Sequence, residues 1–174
     1  MVAATGSVPI VPPIPGIEAA IPATRVFGHE AFVAEDVVII GGGEIGVETG
    51  LHLAQQGRRV TVIEMKDVAA EEAMRVHYYN MFMDAVEEYP ELKIILKATC
   101  TGISRDGVTY RDENGQEHTV AAGTVLLAAG MRADVSGAAK YMRCGKRFFT
   151  VGDCGGMGNL QTAIRSGYSI GNSI

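Results

Sequence analysis

The chain has 174 residues, of which 47% are hydrophobic and 20% charged, with a formal net charge of −5. This is the composition of one ordinary soluble globular domain with a modest surplus. The acidic balance argues against nucleic-acid and anionic-membrane partners, which need a clustered basic face. No apolar run approaches the ~18 residues of a membrane span, and no cationic side chain precedes Arg25, so no signal peptide is read. The three cysteines, Cys100, Cys144 and Cys154, form no CxxC. That spacing argues against a disulfide scaffold or structural zinc and fits a reducing, cytoplasmic location. His29, His52, His77 and His118 are scattered, so no metal site is expected.

Val8 to Pro22 is proline-rich and is expected to be an extended connector, since proline fixes φ and lacks an N–H. Val37–Ile40 is wholly apolar and β-branched, as in a strand buried on both faces of a parallel sheet. A glycine-rich turn follows, then a predicted helix over Glu44–Gln56 with Ile45, Leu51, Leu53 and Ala54 as buried candidates and Gly57 as its stop. Val60, Val62 and Ile63 make the next strand.

A second helix is predicted from Asp67, as N-cap, to about Glu88, stopped by Pro90. On it, His77, Tyr78, Tyr79, Met81, Phe82 and Met83 read as core or as a domain-contact face. Leu92–Ala98 is a strand candidate, and Asn114-Gly115 between two β-rich runs signals a type I′ hairpin. Thr124–Ala129 is a further buried strand, closed by Gly130. The expected fold class is α/β: a Rossmann-like parallel sheet with a small antiparallel β-meander.

Gly41-Gly42-Gly43-Glu44-Ile45-Gly46 is G-x-G-x-x-G set directly between strand and helix. There Gly41 permits the tight turn, Gly43 lets backbone approach a pyrophosphate, and Gly46 (then Gly50 one turn later) lets the helix lie close to the sheet. The N–H groups and positive dipole end of the helix then face the diphosphate. The loop holds no lysine, which argues against a P-loop. Glu64 lies at the end of the second strand, eighteen residues beyond Gly46. A carboxylate there accepts from ribose hydroxyls and repels a 2′-phosphate, so NADH is favoured over NADPH, with Lys66 softening the preference. A methyltransferase also uses a glycine-rich turn and a ribose-binding acid, but nothing else in the chain asks for that reading.

Both flanks carry a resemblance. Ala4-Thr5-Gly6-Ser7 followed by Pro12-Pro13-Ile14-Pro15-Gly16 resembles the segment by which pyridine nucleotide–disulfide oxidoreductases pass from an FAD domain to an NAD domain. Thr150-Val151-Gly152-Asp153-Cys154 resembles the T-x-G-D re-entry, and Val37–Gly50 resembles the family's NAD fingerprint. The ending from Gly152 to Ile174 is most similar to Old Yellow Enzyme-type NADH:flavin oxidoreductases, including 2,4-dienoyl-CoA and 2-enoate reductases. The resemblance implies FAD-domain remnants at residues 1–24 and 135–174 around an NAD(H)-binding domain at 25–134.

It further implies a cofactor-binding set of Gly41, Gly43, Glu44, Ile45, Gly46, Glu48, Glu64, Met65, Lys66, Gly130 and Asp153, with no catalytic acid or base. In the family, Glu48 matches an acid near the nicotinamide, Glu44 replaces an aromatic or small gate residue, Gly130 lines the nicotinamide side, and Asp153 binds the flavin ribityl chain. Arg132 reads as a nucleotide contact or a salt-bridge former, Glu48 equally as a solvated helix acid, and Cys154 as a small buried or semi-exposed thiol. The expected function is to hold NADH for hydride transfer to a flavin carried by a separate domain or subunit, with FAD bound in the full-length protein and no turnover by the isolated chain. Alternatives are the NAD domain of an FAD-dependent disulfide reductase and a non-catalytic nucleotide-sensing module. An exposed apolar patch and weak self-association are also expected, from a mean hydropathy of +0.15.

Overall fold

The computed structural model describes residues 1–76 and 78–174. Two compact units make up the chain: Val11–Ala129, and Met1–Ile10 together with Gly130–Ile174. The larger unit begins earlier than the expected position 25. Ile14, Ile17 and Ala20 pack on its core, and the Ile103 N–H donates to the Pro15 carbonyl at 2.8 Å. The proline-rich stretch is therefore more than a connector. It contributes a 3-10 turn at Ile17–Ala19 and an edge strand, β1 (Ile21–Pro22), a place where proline's missing N–H does no harm.

After β1 come β2 (Asp36–Ile40), α1 (Glu44–Gln55), β3 (Arg59–Ile63), α2 (Tyr79–Glu87) and β4 (Leu92–Ile95). Then follow β5 (Thr99–Ser104), β6 (Gly107–Arg111), β7 (Glu117–Val120) and β8 (Thr124–Leu127). The parallel sheet has the order β1-β8-β2-β3-β4. Alternate residues of β2 serve opposite faces, as a strand's period of two requires. Val37 and Ile39 join Val47, Leu53, Val60, Val62 and Leu126 under α1, whereas Val38 and Ile40 join Val108, Val125 and Leu127 on the other side. Both faces are covered, so the β-branched run of β2 needs no polar alternation. Ile39 is 0% exposed. Shortening it to valine is expected to lower unfolding free energy by about 1 kcal/mol in urea titrations.

β5, β6 and β7 form the antiparallel meander. The two β-rich runs flanking Asn114-Gly115 are β6 and β7; β5 supplies the third strand, and Gly102, where its pairing shifts register, hides its alternation. The hairpin at Asn114-Gly115 is not type I′, which needs positive φ at both central residues. Gly115 has φ 80, but Asn114 is not in that region. Asp112 Oδ1 instead accepts the Asn114 and Gln116 N–H groups, each at 2.9 Å, which opens a wider loop.

The predicted Asp67–Glu88 helix is broken. A 3-10 segment spans Glu71–Val76, α2 starts only at Tyr79, and Asp67 caps neither. Ala70 explains the break: its φ is 47, left-handed, and its N–H donates to the Gly42 carbonyl at 2.8 Å. A tertiary bond to the glycine turn thus overrides helix propensity. Of the aromatic–methionine cluster, Tyr78, Tyr79, Phe82 and Met83 pack on the core and Met81 is exposed, while His77 lies outside the described residues.

In the smaller unit Val2–Ala3 pairs parallel with Phe149–Thr150, and Ser7–Pro9 pairs antiparallel with Met131–Ala133. Helices α3 (Val135–Ala139) and α4 (Leu160–Gly171) complete it. Asn159 caps α4 rather than opening it: its side chain accepts the Thr162 N–H at 3.0 Å, while Thr162 Oγ1 accepts the Asn159 N–H at 2.8 Å. Cys154 is buried, its thiol directed at the Ala3 and Val151 carbonyls. Among the described residues, no helix is long and apolar enough to cross a membrane.

Candidate functional site

The glycine turn joins β2 to α1 at the centre of the parallel sheet. Gly41 has φ 104, and a Cβ there would lie 2.4 Å from the Ala128 carbonyl oxygen. A Cβ on Gly46 would lie 2.0 Å from the Gly41 carbonyl oxygen. These contacts match the turn and packing roles that the glycine spacing assigns to the two residues. Gly43, the N-cap of α1, has no side chain with which to satisfy the first helical N–H groups.

Glu64 stands at the tip of β3 and is 7% exposed. Its Oε2 accepts the Gly42 N–H at 2.5 Å and its Oε1 accepts the Lys66 N–H at 2.8 Å. The strand tip and the glycine turn therefore meet. Gly42 was not singled out from the sequence, yet it makes this possible: a Cβ on it would come within 2.7 Å of Glu64 Cβ. A carboxylate oxygen accepts more than one bond, so Glu64 retains capacity for hydroxyl donors.

Glu72 is the second residue the sequence did not assign to the site. Its Oε2 accepts the Glu44 N–H at 3.3 Å and lies 3.6 Å from where a Gly43 Cβ would be. The helix start thus already receives an anion, supplied by the chain itself. The residues fit a diphosphate: the Glu44 N–H already donates to a carboxylate, and Gly43 has no side chain to keep an anion from that helix start.

The remaining candidates divide. Ile45 packs against the core and Met65 is 71% exposed. Lys66 Nζ sits 2.5 Å from Glu71 Oε2, and that bond, with Glu72 and Glu64 nearby, pushes the ammonium above its usual range. Glu44 Oε1 accepts a hydrogen bond from the Tyr78 hydroxyl. Glu48, exposed one turn on, has its carboxyl pushed up by desolvation and then by repulsion from Glu44. Gly130, Arg132 and Asp153 belong to the smaller unit. There the Gly130 carbonyl accepts the Ile10 N–H at 3.0 Å, and Arg132 is exposed on its strand. Asp153 Oδ2 accepts from Ser7 Oγ at 3.3 Å and lines a cavity of about 510 Å³ with Gly6, Gly152, Asn159 and Leu160. On α4, Leu160, Ile164 and Tyr168 form an exposed apolar stripe at a spacing of four.

The family model described as pyridine nucleotide-disulphide oxidoreductase matches residues 1–151. Bilirubin reductase of Mediterraneibacter gnavus is 28% identical over 178 residues, covering 100% of this chain and 27% of its own length. Cinnamate reductase of Clostridium sporogenes is 29% identical over 175 residues, covering 98% of this chain and 26% of its own. Among solved structures, a 2-naphthoyl-CoA reductase complexed with 2-naphthoyl-CoA matches with a TM-score of 0.91 at 29% identity, over 99% of this chain and 26% of that one. The likeness to Old Yellow Enzyme-type enoate reductases expected from the C-terminal segment is upheld by these matches. The chain spans about a quarter of the length of these curated relatives.

Proposed function

Because the chain belongs to the pyridine nucleotide-disulphide oxidoreductase family, whose members bind FAD and NAD(P)H, we propose that it is the NADH-holding part of a flavin-dependent reductase. The observation that carries this reading is Glu64, a buried carboxylate held against the glycine turn through the Gly42 N–H at 2.5 Å. Gly41 and Gly46 shape the turn, Gly43 admits the diphosphate to the α1 amides, and Glu64 takes the adenosine ribose hydroxyls. Glu48 is assigned to the nicotinamide side and, within the smaller unit, Asp153 to a flavin. When bound, nicotinamide supplies a hydride and flavin accepts it. The chain's own residues contribute position and field, and none is assigned as acid or base.

NADH is preferred to NADPH in this reading. Glu64, Glu71 and Glu72 surround Lys66, whose ammonium is already engaged by Glu71, so a 2′-phosphate meets a net negative surface. The α4 stripe suits a flavin-carrying domain or subunit as partner, and in its absence weak self-association. Calorimetric titration of the 174-residue chain is the test. NADH is expected to bind at least roughly tenfold more tightly than NADPH, a difference of about 1.4 kcal/mol. Absence of NADH binding overturns the reading, and equal affinity overturns the preference.

A further inference from the structure

We infer that Glu72 is an internal competitor for the nucleotide's diphosphate, so that the seat at the start of α1 must be vacated before it can be filled. The inference rests on the proposed NADH site and adds a residue that sets its affinity. Three contacts lay the segment after β3 over the glycine turn. The Ala70 N–H donates to the Gly42 carbonyl at 2.8 Å, Glu72 accepts the Glu44 N–H at 3.3 Å, and the Tyr78 hydroxyl donates to Glu44.

Ala70 fixes the geometry. It is 0% exposed, packed in the core beneath α1, and held at φ 47, a conformation an alanine keeps only when its surroundings dictate it. Two residues later the exposed Glu72 side chain reaches back to α1. Its carboxylate takes the kind of bond a phosphate oxygen takes from a helix amide, on the side of Gly43 where a Cβ would otherwise stand. Two anions cannot share that N–H, and Glu44 in the first turn adds like charge. The anchor stays when a nucleotide enters, and the Glu72 side chain swings away.

The test compares the full 174-residue chain with its Glu72→Gln variant, titrated with NADH and separately with adenosine, which carries the ribose but no diphosphate. An anion at an exposed helix start contributes modestly, so NADH is expected to bind the variant roughly two- to five-fold more tightly, with adenosine unchanged. Glu72→Ala carries the same expectation, should the glutamine make a new bond to the Glu44 N–H. Unchanged or weaker NADH binding by both variants overturns the role of Glu72, as does an equal gain for adenosine. If neither wild type nor variant binds NADH, the nucleotide reading itself falls and takes this one with it.

Discussion

Replacing Gly46 with alanine is expected to weaken NADH binding at least a hundredfold and to destabilise the chain. The added Cβ would stand 2.0 Å from the Gly41 carbonyl oxygen, 3.1 Å from that carbonyl carbon and 3.3 Å from Ala128 Cβ. The first two atoms are backbone, in the turn proposed to receive a diphosphate, and cannot rotate aside. Either α1 retreats from β2 and β8 or the turn opens, and either change displaces the amides. The overpacking costs about 3 kcal/mol, the upper end for an inserted methyl group. A hundredfold or greater loss of NADH affinity, about 2.7 kcal/mol, is expected by calorimetry. Gly50→Ala is the control. Its Cβ would meet Leu92 Cδ1 at 2.9 Å, the far end of a side chain that can turn, so the effect there is smaller. Wild-type stability and affinity in Gly46→Ala would refute the assigned role of the turn.

The parts of the molecule that local physics determines were readable from the chain alone. A β-branched run such as Val37–Ile40 has few ways to hide both faces, and glycine spacing in the following turn restricts what can sit there. Glu64 was readable because its distance from Gly46 matches one helix, a short turn and one strand. Features made by long-range bonds were not. Ala70 has good helix propensity, and only its N–H bond to Gly42, twenty-eight residues away, turns it left-handed. Glu72 looked like an ordinary early-turn helix acid; its partner is the Glu44 N–H, equally distant in sequence. The Asn114-Gly115 turn was misread because Asp112 offers a competing acceptor to the loop amides. Gly130 and Asp153 rest on family likeness, since no residue spacing around either one specifies a ligand.

Glu64→Gln is the most direct test of what holds the ribose end. Both carboxylate oxygens accept backbone N–H groups, from Gly42 at 2.5 Å and from Lys66 at 2.8 Å, at a position 7% exposed. Glutamine keeps one acceptor oxygen but turns the other end into a donor, which then faces an N–H. One buried pair is lost and replaced by two opposed donors, at a cost of about 2 kcal/mol. The lowered stability should appear as a shifted urea midpoint with an unchanged slope. Binding suffers for a separate reason: a neutral amide accepts ribose hydroxyls less strongly than a carboxylate does. NADH affinity is expected to fall roughly tenfold or more, about 1.4 kcal/mol. NADPH should lose less, because the substitution also removes a charge that repels its 2′-phosphate. The ratio of the two affinities therefore separates recognition from damage. A variant that merely loosened the turn would weaken both nucleotides alike, and that result would leave Glu64 a structural acid with no part in choosing the cofactor.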